Sequence, residues 1–207
     1  MKKGISCLIS YIYKKLQEGY VAQKHYSYVN SENINLGVGV KTFITTSIEA
    51  ATLNSIQIGD NSFIRGRLVT FPGGGIIKVG KECYIGENTE IWSEKSIEIG
   101  DRVLIAHNCM LFDSSTHPLD YLERYDQYKR IITTGFPVKE YKTLNKKKIV
   151  IKDDAWIGCN SIINKGCTIG KRSIVAAGAV VLKDVPDDVI VAGNPAKIIK
   201  YLKITDD

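Results

Sequence analysis

Among the three histidines of this 207-residue chain, His117 stands where chemistry is expected. A neutral imidazole near pH 7 accepts a proton from a hydroxyl and passes it on, which is general base work. His117 lies in Ser-Ser-Thr-His-Pro-Leu-Asp (114–120), where Pro118 fixes the direction in which the backbone leaves. Asp113, Asp120 and Glu123 are the carboxylates near enough in sequence to orient its ring. No serine or cysteine has the setting of a nucleophile elbow, so a covalent intermediate is not expected. Trp92 is a flat apolar surface that can stack on a sugar face or simply cover a corner, and Trp156 is a second such surface. The five cysteines (Cys7, Cys83, Cys109, Cys159, Cys167) are odd in number and form no Cys-x-x-Cys pair. Cys83, Cys109 and Cys167 occupy small-residue positions of a repeat, which predicts buried thiols rather than disulfides or metal ligands.

That repeat is what must position these groups. Between residues 149 and 202 an aliphatic returns every six positions, at Ile151, Ile157, Ile163, Ile169, Val175 and Val181. Two residues before each lies Ile149, Ala155, Ser161, Cys167, Ser173 or Ala179, small in all but the first. Neither a helix nor a flat strand has this period. A solenoid does, with one aliphatic per short strand pointing inward and a small residue near each corner. The expected fold is therefore an all-β solenoid with triangular coils. Upstream, the period is expected at Val38, Ile44, Ala50 and Ile56, then in shifted phase at Ile58 and Ile64. After Pro72-Gly-Gly-Gly it runs Val79, Ile85, Ile91, and after a two-residue shift Ile99, Ile105, Leu111. The next member of that phase is His117. The pattern then vanishes over about 118–148, a Tyr- and Lys-rich excursion that reads as a functional loop inserted in the solenoid.

The segment before the solenoid, 1–33, is expected to form a helical cap. Ile5, Leu8, Ile9, Ile12, Tyr13 and Leu16 have helical spacing over 5–22, with Gly19 as a stop. Such a helix can close the open end of the aliphatic column or rest on an anionic membrane surface. Residues 34–202 form the solenoid domain and 203–207 a tail. No apolar run reaches the ~18 residues of a membrane span, and no signal-peptide cleavage site follows the basic start, so a cytoplasmic protein is expected. The net charge is +6. Five lysines against one glutamate in residues 1–30, and eight basic against four acidic residues in 118–150, carry most of it. No nucleic-acid-binding motif accompanies this charge, so phosphate-bearing small molecules or a membrane surface are the expected contacts.

Three pieces, DRVLIAHNCMLFDSSTHPLD (101–120), DDAWIGCNSIINKGCTIG (153–170) and AGNPAK (192–197), resemble the hexapeptide-repeat acyltransferases. The branch they resemble is that of sugar O-acetyltransferases, such as the maltose and galactoside enzymes and those modifying O-antigen or capsule polysaccharides. The resemblance implies a left-handed parallel β-helix, a homotrimer with sites between neighbouring prisms, acetyl-CoA as acyl donor, a sugar acceptor and no metal. It implies His117 as general base with direct transfer, and Asn88 as an acceptor ligand. Trp92 and Asp113 are counted on the same acceptor side. For the donor it implies Trp156 beside the acyl arm, a trimer contact being the other use of that outward ring, backbone contacts at Cys159, Ala177 and Gly178, and phosphate contacts from Lys183, Lys197 and Lys200. His107 is expected to point outward, lining the cleft or plain surface. An amino-sugar N-acetyltransferase is the alternative within this fold. A zinc enzyme would need three convergent histidines, and a solenoid rod would need neither the inserted loop nor the terminal lysines.

Overall fold

A side chain that points inward from each of three short strands must meet its counterparts in the coils above and below, and that demand sets the architecture. The computed structural model describes residues 2–135 and 140–203, with side chains from residue 9 onward. Three parallel sheets form the faces of a triangular prism, the left-handed β-helix that the resemblance implied. The first coil uses strands Ile34–Leu36, Lys41–Thr42 and Ser47–Glu49, one per face. Five further coils stack on it, and a partial seventh ends in the strand Val189–Ala192. The strand Lys197–Tyr201 then folds back antiparallel on that last strand.

The core is an aliphatic column on each face, with a second on the first face formed by Ile34, Ile56, Ile77, Ile97 and Ile149. On the first face Leu36, Ile58, Val79, Ile99, Ile151 and Ile169 stack in register. On the third face Ile48, Leu68, Ile91, Leu111, Ile163 and Val181 do the same. The hexad phase expected at Val38, Ile44 and Ala50 is two residues off, because Val38 and Ile44 are exposed while Leu36 and Ile48 pair with the inward residues of the next coil. Corners on the first-to-second edge use left-handed backbone at Asn61, Glu82, Arg102, Asp154, Arg172 and Asp188. Close stacking also dictates Gly158, where a Cβ would come within 2.6 Å of the Ala177 nitrogen one coil on.

Helix α1 (Lys2–Val29) is longer than expected and runs through Gly19, because the coil gives its C-terminal turns something to pack on. Tyr28 is buried against the first coil and donates to the Thr46 carbonyl at 3.4 Å. His25 Nδ1 meets Thr42 Oγ1 at 3.1 Å. Only these last turns cap the column; Ile9, Ile12, Leu16 and Tyr20 form a stripe on the opposite side of the helix, open to solvent. Ile5, Cys7 and Leu8, read from sequence as part of this helix or as a thiol, have side chains outside the described residues, as do tail residues 204–207.

The excursion after the fourth coil is not a plain loop. Its two arms pair through Ser115 N to Asn145 O (2.8 Å) and Lys147 N to Asp113 O (2.8 Å). Between them lies helix α2 (Tyr121–Thr134), whose N-cap Asp120 accepts from the Leu122 and Glu123 amides and whose chain ends at Gly135. Glu123 accepts from Thr143 N and Oγ1, tying the helix start to the returning arm. The excursion escapes the hexad pattern because half of it follows a helical period.

Cys83, Cys109 and Cys167 are buried in the prism, and burial pushes the Cys83 thiol up to about 11. At pH 8 such a thiol holds roughly one thiolate in a thousand, so alkylation should label half-exposed Cys159 well before these three, read by peptide mass mapping. Ile157→Ala, at the centre of the second-face column, should cost about 2–5 kcal/mol in denaturant unfolding. A loss below about 0.5 kcal/mol would contradict a close-packed column.

Candidate active site

His117 hangs at the root of the excursion, off the edge between the third and first faces. The chain leaves the prism after Phe112, and Ile151 takes the next inward slot of the hexad phase by pairing with Ile99. His117 therefore does not fill the aliphatic slot that the hexad phase assigns to it. It is exposed and lines a cleft of about 530 Å3 between the third face and α2. One wall is an aromatic ladder on successive coils, Phe71, Trp92 and Phe112, with centroids 5.9 and 5.3 Å apart. The other wall is Gln127, Tyr128 and Ile131 of α2, with Leu144 from the returning arm. Trp92 and Phe112 each follow an inward aliphatic, Ile91 and Leu111, and pair in register, the periodic signal by which Phe112 is legible. The Trp92 indole donates to Glu90 at 2.6 Å, and the Arg67 guanidinium lies 5.3 Å from its ring centre. At the cleft floor Lys146 pairs with Glu94 at 3.3 Å, and Glu94 also accepts from Ser114 Oγ at 2.8 Å.

None of the three carboxylates expected to orient His117 touches its ring. Asp113 is fully buried and accepts from Ser93 Oγ (2.6 Å), Glu94 N (2.8 Å) and Lys95 N (2.9 Å), so it serves the corner and is closed to an acceptor. Asp120 caps α2, and Glu123 holds Thr143. The ring partner is Gln127, whose Oε1 is 2.8 Å from His117 Nδ1. Nothing in the sequence marks Gln127, since the contact depends on where α2 comes to rest.

Asn88 lies at the opposite edge of the third face and does not line the cleft. It occupies a corner with φ 57°, in the same column as Asn108 (58°), Asn160 (58°) and Gly178 (71°), which is the structural use of an asparagine at a left-handed turn. Cys159, Ala177 and Gly178 share that corner, where Gly178 N donates to Cys159 O at 2.8 Å. Ala177 and Gly178 are exposed, and a Cβ at Gly178 would meet nothing within 4 Å. Lys197, on the last strand, pairs with Ala192 beside the same corner, and Lys200 with Ile190 on the second face. Lys183 follows the third-face strand Val180–Val181, so it stands at the His117 edge. Trp156 is 49% exposed on the second face, in register with Leu104 and Ile174. His107 is exposed, accepts from Glu87 N at 3.0 Å through Nδ1, and is not in the cleft. The structure thus gathers the expected donor residues, Lys183 apart, about one corner and the second face next to it, and places His117 and Trp92 across the third face from them.

Residues 148–183 match the bacterial transferase hexapeptide model (six repeats), and residues 76–112 match the hexapeptide repeat of succinyl-transferase. A galactoside O-acetyltransferase of Escherichia coli K12 is 33% identical over 72% of this chain, and the match spans 65% of that enzyme, under two thirds of its length. A hexapeptide-repeat-containing acetyltransferase of Vibrio cholerae O1 biovar eltor, solved with acetyl coenzyme A, is 30% identical with a TM-score of 0.56, over 88% of this chain and 78% of that one. AntD, an N-acyltransferase from Bacillus cereus solved with a dTDP-amino sugar and coenzyme A, is 19% identical with a TM-score of 0.66, over 88% of this chain and 89% of that one, which speaks to the fold alone. With the coils, the matched repeats and the Vibrio relative in agreement, the chain belongs to the hexapeptide-repeat transferase family.

Proposed function

We propose that this protein is an O-acetyltransferase that moves an acetyl group from acetyl-CoA to a sugar hydroxyl, in the assembly of a surface polysaccharide such as O-antigen or capsule. The observation that carries the reading is an imidazole outside the prism, at the rim of an aromatic-walled cleft wide enough for a sugar ring. In this mechanism His117 accepts the hydroxyl proton as the oxygen attacks the thioester carbonyl. The C–S bond then breaks, and the imidazolium returns the proton to the departing thiolate, so no group on the protein is acylated. Trp92 and Phe112 supply the stacking surface for the acceptor, and the paired Glu94 and Lys146 offer polar contacts to its hydroxyls.

The donor fits the corner of Cys159, Ala177 and Gly178, where side chains are small, backbone is open and Lys197 and Lys200 supply charge for phosphates. Because this corner and His117 lie at opposite edges of one face, the reading requires a second copy to bring the two edges together, as in a homotrimer. Support for such an assembly comes from the second face, whose outward residues Phe63, Tyr84, Leu104, Trp156, Ile174 and Ile190 form an apolar column in register. The first face is polar by contrast, with Asn35, Gln57, Lys78 and Glu98. Among the described residues no helix is long and apolar enough to cross a membrane. The exposed stripe of α1 flanked by Lys15 and Lys24 supports peripheral contact with an anionic membrane face.

Thiol release from acetyl-CoA across a panel of sugars, glycans and amino-sugar nucleotides, with the new ester or amide located by NMR, tests the reading; release only with amino sugars would replace it by N-acylation. His117→Ala should keep oligomeric state and acetyl-CoA affinity while turnover falls about a hundredfold or more. Unchanged turnover would remove the base. Charge reversal at Lys197 and Lys200 should weaken acetyl-CoA binding roughly tenfold by calorimetry, with the acceptor KM unmoved. An effect confined to the acceptor would remove the donor assignment.

A further inference from the structure

The excursion brings one side chain onto the imidazole, and its chemistry decides which ring nitrogen can work. Gln127 is 7% exposed on the inner side of α2. Its amide orientation is fixed at both ends, because Nε2 donates to the Thr116 carbonyl at 3.3 Å and Oε1 is left facing His117 Nδ1 at 2.8 Å. An amide oxygen only accepts, so Nδ1 carries the proton and the lone pair of the neutral ring resides on Nε2.

We propose that Gln127 is a positioning residue: it holds His117 in the Nδ1–H tautomer and leaves Nε2 as the atom that accepts the acceptor's proton. This rests on His117 acting as the base. The partner being an amide matters. A carboxylate in its place would favour the charged ring, which has no lone pair to offer, whereas an amide fixes orientation without adding charge. Other titratable and charged groups line the same cleft. Glu94 and Lys146 on the coil side pair with each other, and Arg124 of α2 donates to the Pro118 and Leu119 carbonyls. Tyr128 of α2 and Glu140 of the returning arm complete the cleft lining. The length of the excursion follows from the same requirement, since a corner of three or four residues could not carry a helix back over its own root.

The test uses the full chain. Histidine 15N NMR should show His117 protonated at Nδ1 and bare at Nε2, and Gln127→Ala should move the proton toward Nε2. In the same variant kcat should fall about ten- to a hundredfold with KM for acetyl-CoA unchanged. Gln127→Glu, nearly isosteric, should recover most of kcat at high pH and shift the acid limb of the pH–rate profile upward by about one unit or more. Wild-type protein with the proton on Nε2 would overturn the proposal. So would Gln127→Ala with wild-type kcat. If His117→Ala turns over normally the base reading fails by itself, and the wild-type NMR tautomer still decides whether Gln127 holds the ring.

Discussion

The coil-to-coil backbone ladder is the constraint on which everything else depends. Each short strand between the end coils is hydrogen-bonded above and below, and each inward aliphatic is buried only because its neighbours in the stack are in register. A one-residue slip would turn a column of isoleucines outward. The strength of this constraint is visible where it is interrupted. Thirty-six residues lie between the strands ending at Phe112 and beginning at Ile149, yet Ile97 still pairs with Ile149 and Leu111 with Ile163. Closing so long a loop in place of the three residues between Ser93 and Ile97 costs about 2 kcal/mol in chain entropy. The paired arms, the Asp120 cap and the Glu94–Lys146 contact at the root are of a size to offset it.

That separation of framework from excursion explains what the sequence discloses. Residues 149–181 read almost without error because the coils there are 18 residues apart, so Ile151 and Ile169 keep the same phase on all three faces. The early coils are longer, with Leu36 to Ile58 spanning 22 residues and Ile58 to Val79 spanning 21, and strict counting by six drifts onto exposed Val38 and Ile44. The corners mislead in another way. A search for small residues passes over Arg102 and Arg172, which take left-handed backbone and pair with Asp154 and Asp188 in the next coil, at 2.6 Å each. Exposed pairs of this kind contribute little individually, but they tolerate a conformation that a β-branched residue would not.

Legibility in the site follows the same division. His117 and Trp92 are marked by motif and by register. Asp113 is not an acceptor ligand although it lies four residues from His117, because the chain turns between them and its carboxylate is spent on three corner hydrogen bonds. Gln127 is ten residues away and reaches the ring, because a helix intervenes whose resting place no local pattern encodes. Proximity along the chain is a poor guide wherever a corner or a helix separates two residues.

The prism is rigid and its faces are narrow, so chemistry that needs groups from two edges must either bend the prism or add another one. Bending would break the ladder that buries the core. Adding a second copy instead covers the outward column from Phe63 to Ile190, an apolar face that costs free energy while it meets water. In the proposed assembly one interface therefore serves two ends, hiding the second face and drawing the corner of Ala177 and Gly178 toward a neighbour's His117. A rod of hexads needs no such seam. The excursion stands at the edge from which the proposed base would reach across that seam, and the long insertion interrupts the solenoid there and nowhere else among the described coils.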